Sequence, residues 1–305
     1  MSYRRKTIFV IGGSGFVGSY FFRHLALSKK FDYQFIAPRH SELDILNLFL
    51  LDSIIFQYRP IAVINFAAHR NANTAEEQRG DRTGSVWQTN VIGVSNISRV
   101  CRKYGSYLIH ISTDMVFSGK EKTPGPYAEN AQVEANMVNL SWYGWTKAES
   151  ERIIQKNRKS AIIRIGNVTM PIYDPSLDYI GKIISLYDRG QLYGLFFDQH
   201  LTLTPLPLLF EVIEKLIGNP KYGVFHVATK NTFTPYELGE NLIRRARGKT
   251  NQIRKVSIND FLKERPNRYP KYGGLLAQKT AHLLQIKLPE WKSVVDESVR
   301  YFIKE

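Results

Sequence analysis

Residues 7–27 read TIFVIGGSGFVGSYFFRHLAL, and their order decides the fold. The short apolar run 7–11 is too brief for a helix and reads as a buried strand. Gly12, Gly15 and Gly18 follow in G-x-x-G-x-x-G spacing, and residues 15–27 then show helix-like amphipathic periodicity. A strand, a glycine turn and a helix form a cradle: backbone N–H groups unobstructed by Cβ converge on an anion that the helix N-terminus also attracts. Glycine spacing alone is common. Its place between first strand and first helix points to a dinucleotide, with a plain helix-capping turn as the alternative.

The same alternation runs outward from this stretch. Residues 33–37, 61–66 and 107–111 are short apolar runs, separated by amphipathic stretches at 46–58 and before Tyr104. Strands alternating with helices imply right-handed crossovers and a parallel sheet covered on both faces. The expected fold class is therefore α/β: a Rossmann-type doubly wound parallel sheet with a smaller C-terminal α/β substrate-binding lobe. Residues 118–139 form a long polar loop, of a length usually kept for function. Helical periodicity returns at 142–156 and a buried strand at 160–165. Beyond it the pattern changes, with Pro171, Pro175, Pro205 and Pro207, shorter helices and an isolated strand at 223–227. The expected boundary lies near Gly166, giving a cofactor domain at 1–166 and a mainly substrate-binding lobe at 167–305, from which later segments are free to return to the first domain.

Composition narrows the classes. Of 305 residues, 43% are hydrophobic and 23% charged, enough apolar surface for a core and too little charge for disorder. The net charge of +15 invites a nucleic-acid reading. Lys and Arg are scattered, however, with no nucleic-acid-binding signature beside them, so no nucleic-acid partner is expected. A positive field also suits a nucleotide sugar and a phosphorylated cofactor, or is simply a solvated surface. The lone Cys101 excludes an internal disulfide and a cysteine-cluster metal site. The basic start 1–6 is followed by too short an apolar run for a signal peptide, and no run nears the roughly 18 apolar residues of a membrane span. A cytoplasmic protein without a membrane partner is expected. No metal-ligand spacing stands out, and His226 reads as a core or interface histidine.

Two further positions carry chemistry. About 20 residues past the glycine turn, an acid normally accepts from the ribose 2′-hydroxyl in NAD binders. Here the chain has Ala37-Pro38-Arg39-His40, and Arg39 would pair with a 2′-phosphate, so NADP(H) is preferred, with NAD(H) as the alternative. A solvated surface arginine is the bland alternative. Tyr143 and Lys147 lie four apart on a helix-like stretch and share a face. A neighbouring ammonium is expected to lower the phenol, making Tyr143 a usable general acid. With 17 tyrosines, about one such pair arises by chance. Position adds weight, because the pair follows the strand at 107–111 and the polar turn Ser112-Thr113-Asp114. Thr113 would donate a hydrogen bond to a carbonyl being reduced, or else satisfy its local backbone.

Taken together, the chain resembles the extended short-chain dehydrogenase/reductase superfamily, most closely the dTDP-4-dehydrorhamnose reductase family. The resemblance spans nearly the whole length. It is carried by the glycine turn 12–18, SELDI at 41–45, RPIAVINFAA at 59–68, VWQTNV at 86–91, STDMVFSG at 112–119, YGWTK at 143–147, Asp198-Gln199 and Arg265-Pro266. It implies Thr113, Tyr143 and Lys147 as the catalytic trio, with hydride passing to a sugar C4 carbonyl while Tyr143 protonates the alkoxide. It further implies that Gly12, Gly15, Phe16, Val17 and Gly18 cradle the cofactor and that Lys147 holds the nicotinamide ribose. Asp44 and Ile45 would contact adenine, Ala67 and Ala68 line the cleft, and Asn90 brace the preceding strand. Asp114, Met115, Val116, Asn167 and Arg265 would face the nucleotide sugar, Asn167 being similar to the asparagine that extended members aim at the substrate diphosphate.

Two departures bear on the sugar. Met115 stands where S-T-D-Y-V-F has tyrosine, and RIGNV at 164–168 lacks the tryptophan that lies against the sugar in rhamnose-forming members. Two other functions stay open: a non-catalytic NADP-binding regulatory subunit, like the similar beta subunit of methionine adenosyltransferase, and a nucleotide-sugar epimerase or dehydratase. Against the dehydratase stands Met115, where an Asp-Glu pair is usual after the threonine. A homo-oligomer is equally open.

Overall fold

The computed structural model describes residues 6–28, 33–170, 178–248 and 253–303. The basic start at 1–5, and Pro171 and Pro175, lie outside them. In chain order the first strand β1 (Lys6–Ile11) leads into α1 (Phe16–Ser28), then β2 (Tyr33–Ile36), α2 (Leu48–Tyr58), β3 (Ala62–Asn65) and α3 (Ala72–Glu77). One long helical passage follows: α4 (Ser85–Trp87), a π-helical turn (Gln88–Gly93) and α5 (Val94–Tyr104). Next come β4 (Tyr107–Thr113), a 3-10 turn (Asp114–Val116), α6 (Trp142–Ile154) and β5 (Ser160–Ile165). Then follow β6 (Asn167–Thr169), α7 (Tyr179–Asp188), β7 (Leu195–Phe196), β8 (Leu203–Pro205), α8 (Leu206–Gly218) and β9 (Gly223–Val227). The chain ends with α9 (Pro235–Arg247), β10 (Lys255–Val256), α10 (Ile258–Glu264), α11 (Gln278–Leu284) and α12 (Trp291–Val299).

Six strands form the central sheet in the order β2-β1-β3-β4-β5-β9. β1 pairs in parallel with β2 and with β3, and β3 in parallel with β4. This is a Rossmann-type α/β order, in which the direction of strand addition reverses beside β1 while the strands stay parallel. The inner strands are nearly continuous buried runs, as a sheet covered on both faces requires, whereas edge strand β2 is half exposed. Phe9, Val63 and Leu108 from the sheet, Leu51 and Ile55 from α2 and Ile97 and Val100 from α5 make one core cluster.

Contacts divide the chain into two compact units of nearly equal length. The first comprises residues 1–116, 141–164 and 213–225; the second comprises 117–140, 165–212 and 226–305. The reading from sequence drew a boundary near Gly166 and left later segments free to return to the first domain; by contacts, 213–225 groups with the first unit and 117–140 with the second. The physical reason for the return of 213–225 is β9, which completes the six-stranded sheet beside β5. The second unit has its own core, with Ile184, Leu203, Phe233, Leu242, Trp291 and Val295 in one cluster. Its α9 opens on a capping box, Thr234 with Glu237. Among the described residues, no helix is long and apolar enough to cross a membrane.

Candidate active site

At the carboxyl end of β1 the chain turns on Gly12, whose φ of +77° lies in the left-handed region. A Cβ there would meet the Ala67 nitrogen at 2.6 Å, so the turn lies directly against the backbone that leaves β3. Gly15 closes the turn by donating its N–H to the Gly12 carbonyl at 3.1 Å, and α1 starts at Phe16. Gly12, Ala67 and Gly18 thus approach one another closely at the start of α1, whose first turn also carries Phe16 and Val17. Asn90, fully buried in the π-helical turn, braces the chain that leaves β3: Oδ1 accepts the His69 N–H at 2.8 Å, and Nδ2 donates to the His69 carbonyl and to Thr146 Oγ1. π-turns inside helices often mark such places.

Across the sheet, β4 ends at Thr113 and the 3-10 turn Asp114–Val116 follows it. Thr113 Oγ1 donates to Asp114 Oδ1 at 3.1 Å and accepts the Met115 N–H at 3.2 Å, so the hydroxyl is already engaged by its local turn. This turn lies against the start of α6, which Ser141 caps by accepting the Gly144 N–H. A Cβ on Gly144 would sit 2.3 Å from the Met115 carbonyl oxygen. Glycine after the tyrosine is what lets Tyr143 come to the turn.

The electrostatics of Tyr143 differ in sign from the sequence expectation. Burial pushes the phenol up to about 12 and the Asp114 carboxyl pushes the same way, while Arg70 and a hydrogen bond with Thr113 act against them. Lys147 does not lower it because Nζ is turned elsewhere, to the Ile111 carbonyl at 2.8 Å and His110 Nε2 at 3.1 Å. Burial brings Lys147 down to about 8, with Glu151 opposing. Asp114, also buried, is raised to about 6. Arg70 bridges the halves of the site: its guanidinium lies 5.7 Å from the centre of the Phe16 ring and also acts on Tyr143.

Under this cluster lies a closed ion pair. Arg164 donates to Glu151 through Nη2 at 2.7 Å and Nε at 3.0 Å, both side chains almost fully buried, and Ser112 Oγ donates to Glu151 at 2.5 Å.

The remaining expected residues are spread out. Arg39 sits exposed after β2 with its fork on Glu42, at 3.1 and 3.3 Å; the Arg39 backbone N–H, at 2.7 Å, and then that fork hold the Glu42 carboxyl below its usual range. Asp44 is exposed and accepts the Leu46 N–H; Ile45 turns its side chain into the core against Gly93. Ala68 is partly exposed and Val116 fully buried. Asn167 and Arg265 belong to the second unit: Asn167 Nδ2 donates to the Thr202 carbonyl, and Arg265 caps α10 and lies over Phe261. There His226 is a core histidine, Nδ1 against the Leu276 carbonyl. Cys101 is buried and its thiol is pushed up to about 12. Among the described residues no cluster of His, Cys, Asp or Glu could hold a metal ion.

This arrangement has known relatives. The sequence matches the RmlD substrate binding domain over residues 6–303. The chain belongs to that family. It is 30% identical over 200 residues to dTDP-4-dehydrorhamnose reductase of Aggregatibacter actinomycetemcomitans, covering 64% of each chain. It is 26% identical over 219 residues to methionine adenosyltransferase 2 subunit beta of Xenopus laevis, covering 68% of this chain and 60% of that one. The aligned stretches thus span about three-fifths of these relatives' own length. The structure superposes on dTDP-4-dehydrorhamnose reductase from Bacillus anthracis, solved in complex with NADP, with a TM-score of 0.82 at 22% identity, covering 99% and 100% of the two chains.

Sequence reasoning passed over Asn65, Arg70, His110, Gly144 and the Glu151–Arg164 pair. Glu151 could have been found, since it lies four residues beyond Lys147 on the same helix. His110 and Arg164 stand in apolar strands, where a polar residue is itself a signal. Nothing local marks Arg70.

Proposed function

We propose that this RmlD-family chain is an NADPH-dependent reductase of a 4-keto nucleotide sugar, acting in the cytoplasm on precursors of deoxysugars or polysaccharides. The carrying observation is the convergence of Thr113, Asp114 and Tyr143 at the end of β4, joined by Arg70 to the glycine turn. The first unit is assigned to the cofactor and the second to the sugar, with Asn167 and Arg265 as its candidate contacts. A site that holds a dinucleotide needs a cradle free of side chains, and Gly12 against Ala67 fits that need. Gly12, Gly15, Phe16, Val17 and Gly18 would hold the pyrophosphate, Lys147 the nicotinamide ribose, and Arg39 the 2′-phosphate of NADP(H). NAD(H), which lacks the 2′-phosphate that Arg39 would pair with, is the second choice.

The chemistry supplied by the cofactor is hydride donation. Tyr143 supplies the proton. A phenol raised to about 12 keeps its hydrogen throughout neutral pH and yields it to the stronger base that a reduced carbonyl oxygen becomes. A hydrogen bond with Thr113 engages that phenol, and Asp114, raised to about 6, is the titrating neighbour.

The decisive experiment is purified protein with NADPH or NADH and a panel of 4-keto nucleotide sugars, following cofactor oxidation. Turnover with NADPH supports the proposal. Tight NADPH binding without turnover of any sugar would favour a regulatory role like that of the beta-subunit relative, and retained NAD without net consumption would favour an epimerase or dehydratase. Arg39→Ala is expected to weaken NADPH binding about tenfold and leave NADH unchanged. Tighter NADH than NADPH binding by the unaltered chain would contradict the cofactor preference.

A further inference from the structure

Beneath Lys147 lies a chain of buried polar groups in which each hydrogen has one consistent place. The Ala67 N–H reaches Asn65 Oδ1 at 3.0 Å, and because a backbone N–H can only donate, the amide oxygen must face it. Asn65 Nδ2 is thereby turned to His110 Nδ1, 3.1 Å away. Nδ2 can only donate, so Nδ1 accepts. His110 has no exposed surface, and burial together with Lys147 holds its imidazole well below its usual range, so it is neutral. A neutral imidazole with an accepting Nδ1 carries its proton on Nε2.

That proton points at two atoms. Lys147 Nζ lies at 3.1 Å and Ser150 Oγ at 3.4 Å, the serine having given its own hydrogen to the Lys147 carbonyl at 2.7 Å. An ammonium at 3.1 Å would set donor against donor; an amine accepts.

We propose that Asn65 and His110 are positioning residues: the Asn65 amide locks His110 as the Nε2–H tautomer, and that N–H faces Lys147 Nζ as a donor, favouring the lysine's amine over its ammonium. The inference rests on reading Lys147 as part of the reducing site. The charged and titratable groups around Lys147 are His110 from β4, Glu151 and Tyr143 from α6, Arg164 from β5 through its pair with Glu151, and Asp114 beside Tyr143. β3 contributes the neutral Asn65, which reaches the lysine through His110. His110 is thus the one member that faces Nζ as a hydrogen-bond donor, and it sets where the lysine takes up its proton.

Nitrogen-15 correlation spectra of the histidine-labelled protein read the tautomer directly. The unaltered chain is expected to show neutral His110 with its proton on Nε2; a proton on Nδ1, or an imidazolium at pH 7, overturns the proposal. In Asn65→Asp, a near-isosteric change, the carboxylate accepts from Ala67 and from Nδ1–H together. The tautomer should therefore switch to Nδ1–H, leaving Nε2 to accept from an ammonium. The Lys147 titration, followed by ε-carbon-13 lysine signals, should then move up by about one pH unit or more, and the alkaline limb of kcat with it. Retention of Nε2–H in that variant, or an unmoved lysine titration after the switch, overturns the proposal. Both spectra need no substrate, so absence of ketosugar turnover would count against the reductase reading alone.

Discussion

Four residues apart on α6, Lys147 and Glu151 are both buried and face opposite situations. Glu151 meets an opposite charge in Arg164 and a hydroxyl in Ser112, through hydrogen bonds of 2.5 to 3.2 Å. Lys147 is hydrogen-bonded to neutral groups, a carbonyl and an imidazole, and burial takes it down to about 8 against the pull of Glu151. Its neighbours Asp114 and Tyr143 are displaced upward for the same reason. A closed charge pair is a structural part whose members have nothing left to give. An open cluster pays in stability to keep groups that titrate or donate near the working pH, which is what proton chemistry requires.

If that contrast is right, the two clusters break in different currencies. Glu151→Ala should leave the Arg164 guanidinium buried without its partner and cost about 3–5 kcal/mol of unfolding free energy, read by urea denaturation. A loss no greater than that of an exposed substitution would remove the distinction. Tyr143→Phe should do the reverse, leaving urea stability within about 1 kcal/mol while lowering kcat roughly 10²–10⁴-fold in the ketosugar assay. Wild-type turnover by that variant would end the proposed proton role.

A smaller effect sharpens the contrast by pH. Asp114 ordinarily titrates at 3.8 and is raised to about 6 in the fold, so the folded chain binds its proton more tightly than the unfolded chain. Its contribution to stability is fully present below about pH 3.8 and is lost as pH rises through about 6. Asp114→Asn keeps a side-chain oxygen to accept from Thr113 without the charge, and should raise stability at pH 7 by up to about 2 kcal/mol, with the gain vanishing near pH 4. Melting temperatures across that range check it, and a gain independent of pH would show that the carboxyl is not the cause. The same change should bring Tyr143 down, since the Asp114 carboxyl is one of the groups raising it.

Much of this was legible before folding was considered. The buried run at 7–11, the glycine turn and the alternation that follows are local patterns, and local periodicity is enough to predict strands, helices and a parallel sheet. Y-x-x-x-K on a helix is likewise local. That some later segment would return to the first domain was legible, but not that it would be 213–225, nor that 117–140 would group with the second unit, because membership of a sheet or core is decided by partners far along the chain.

By itself, then, the sequence determined a Rossmann-type sheet, a glycine cradle, and a tyrosine and lysine on one helix face, since each follows from spacing within a few turns or strands. Only the tertiary structure decided what those two side chains experience. Tyr143 is raised rather than lowered, and Lys147 looks to His110, 37 positions earlier, instead of to the phenol. The reason is physical: burial and hydrogen-bond direction are properties of the whole packed neighbourhood, and both outweigh the charge of a residue one helical turn away.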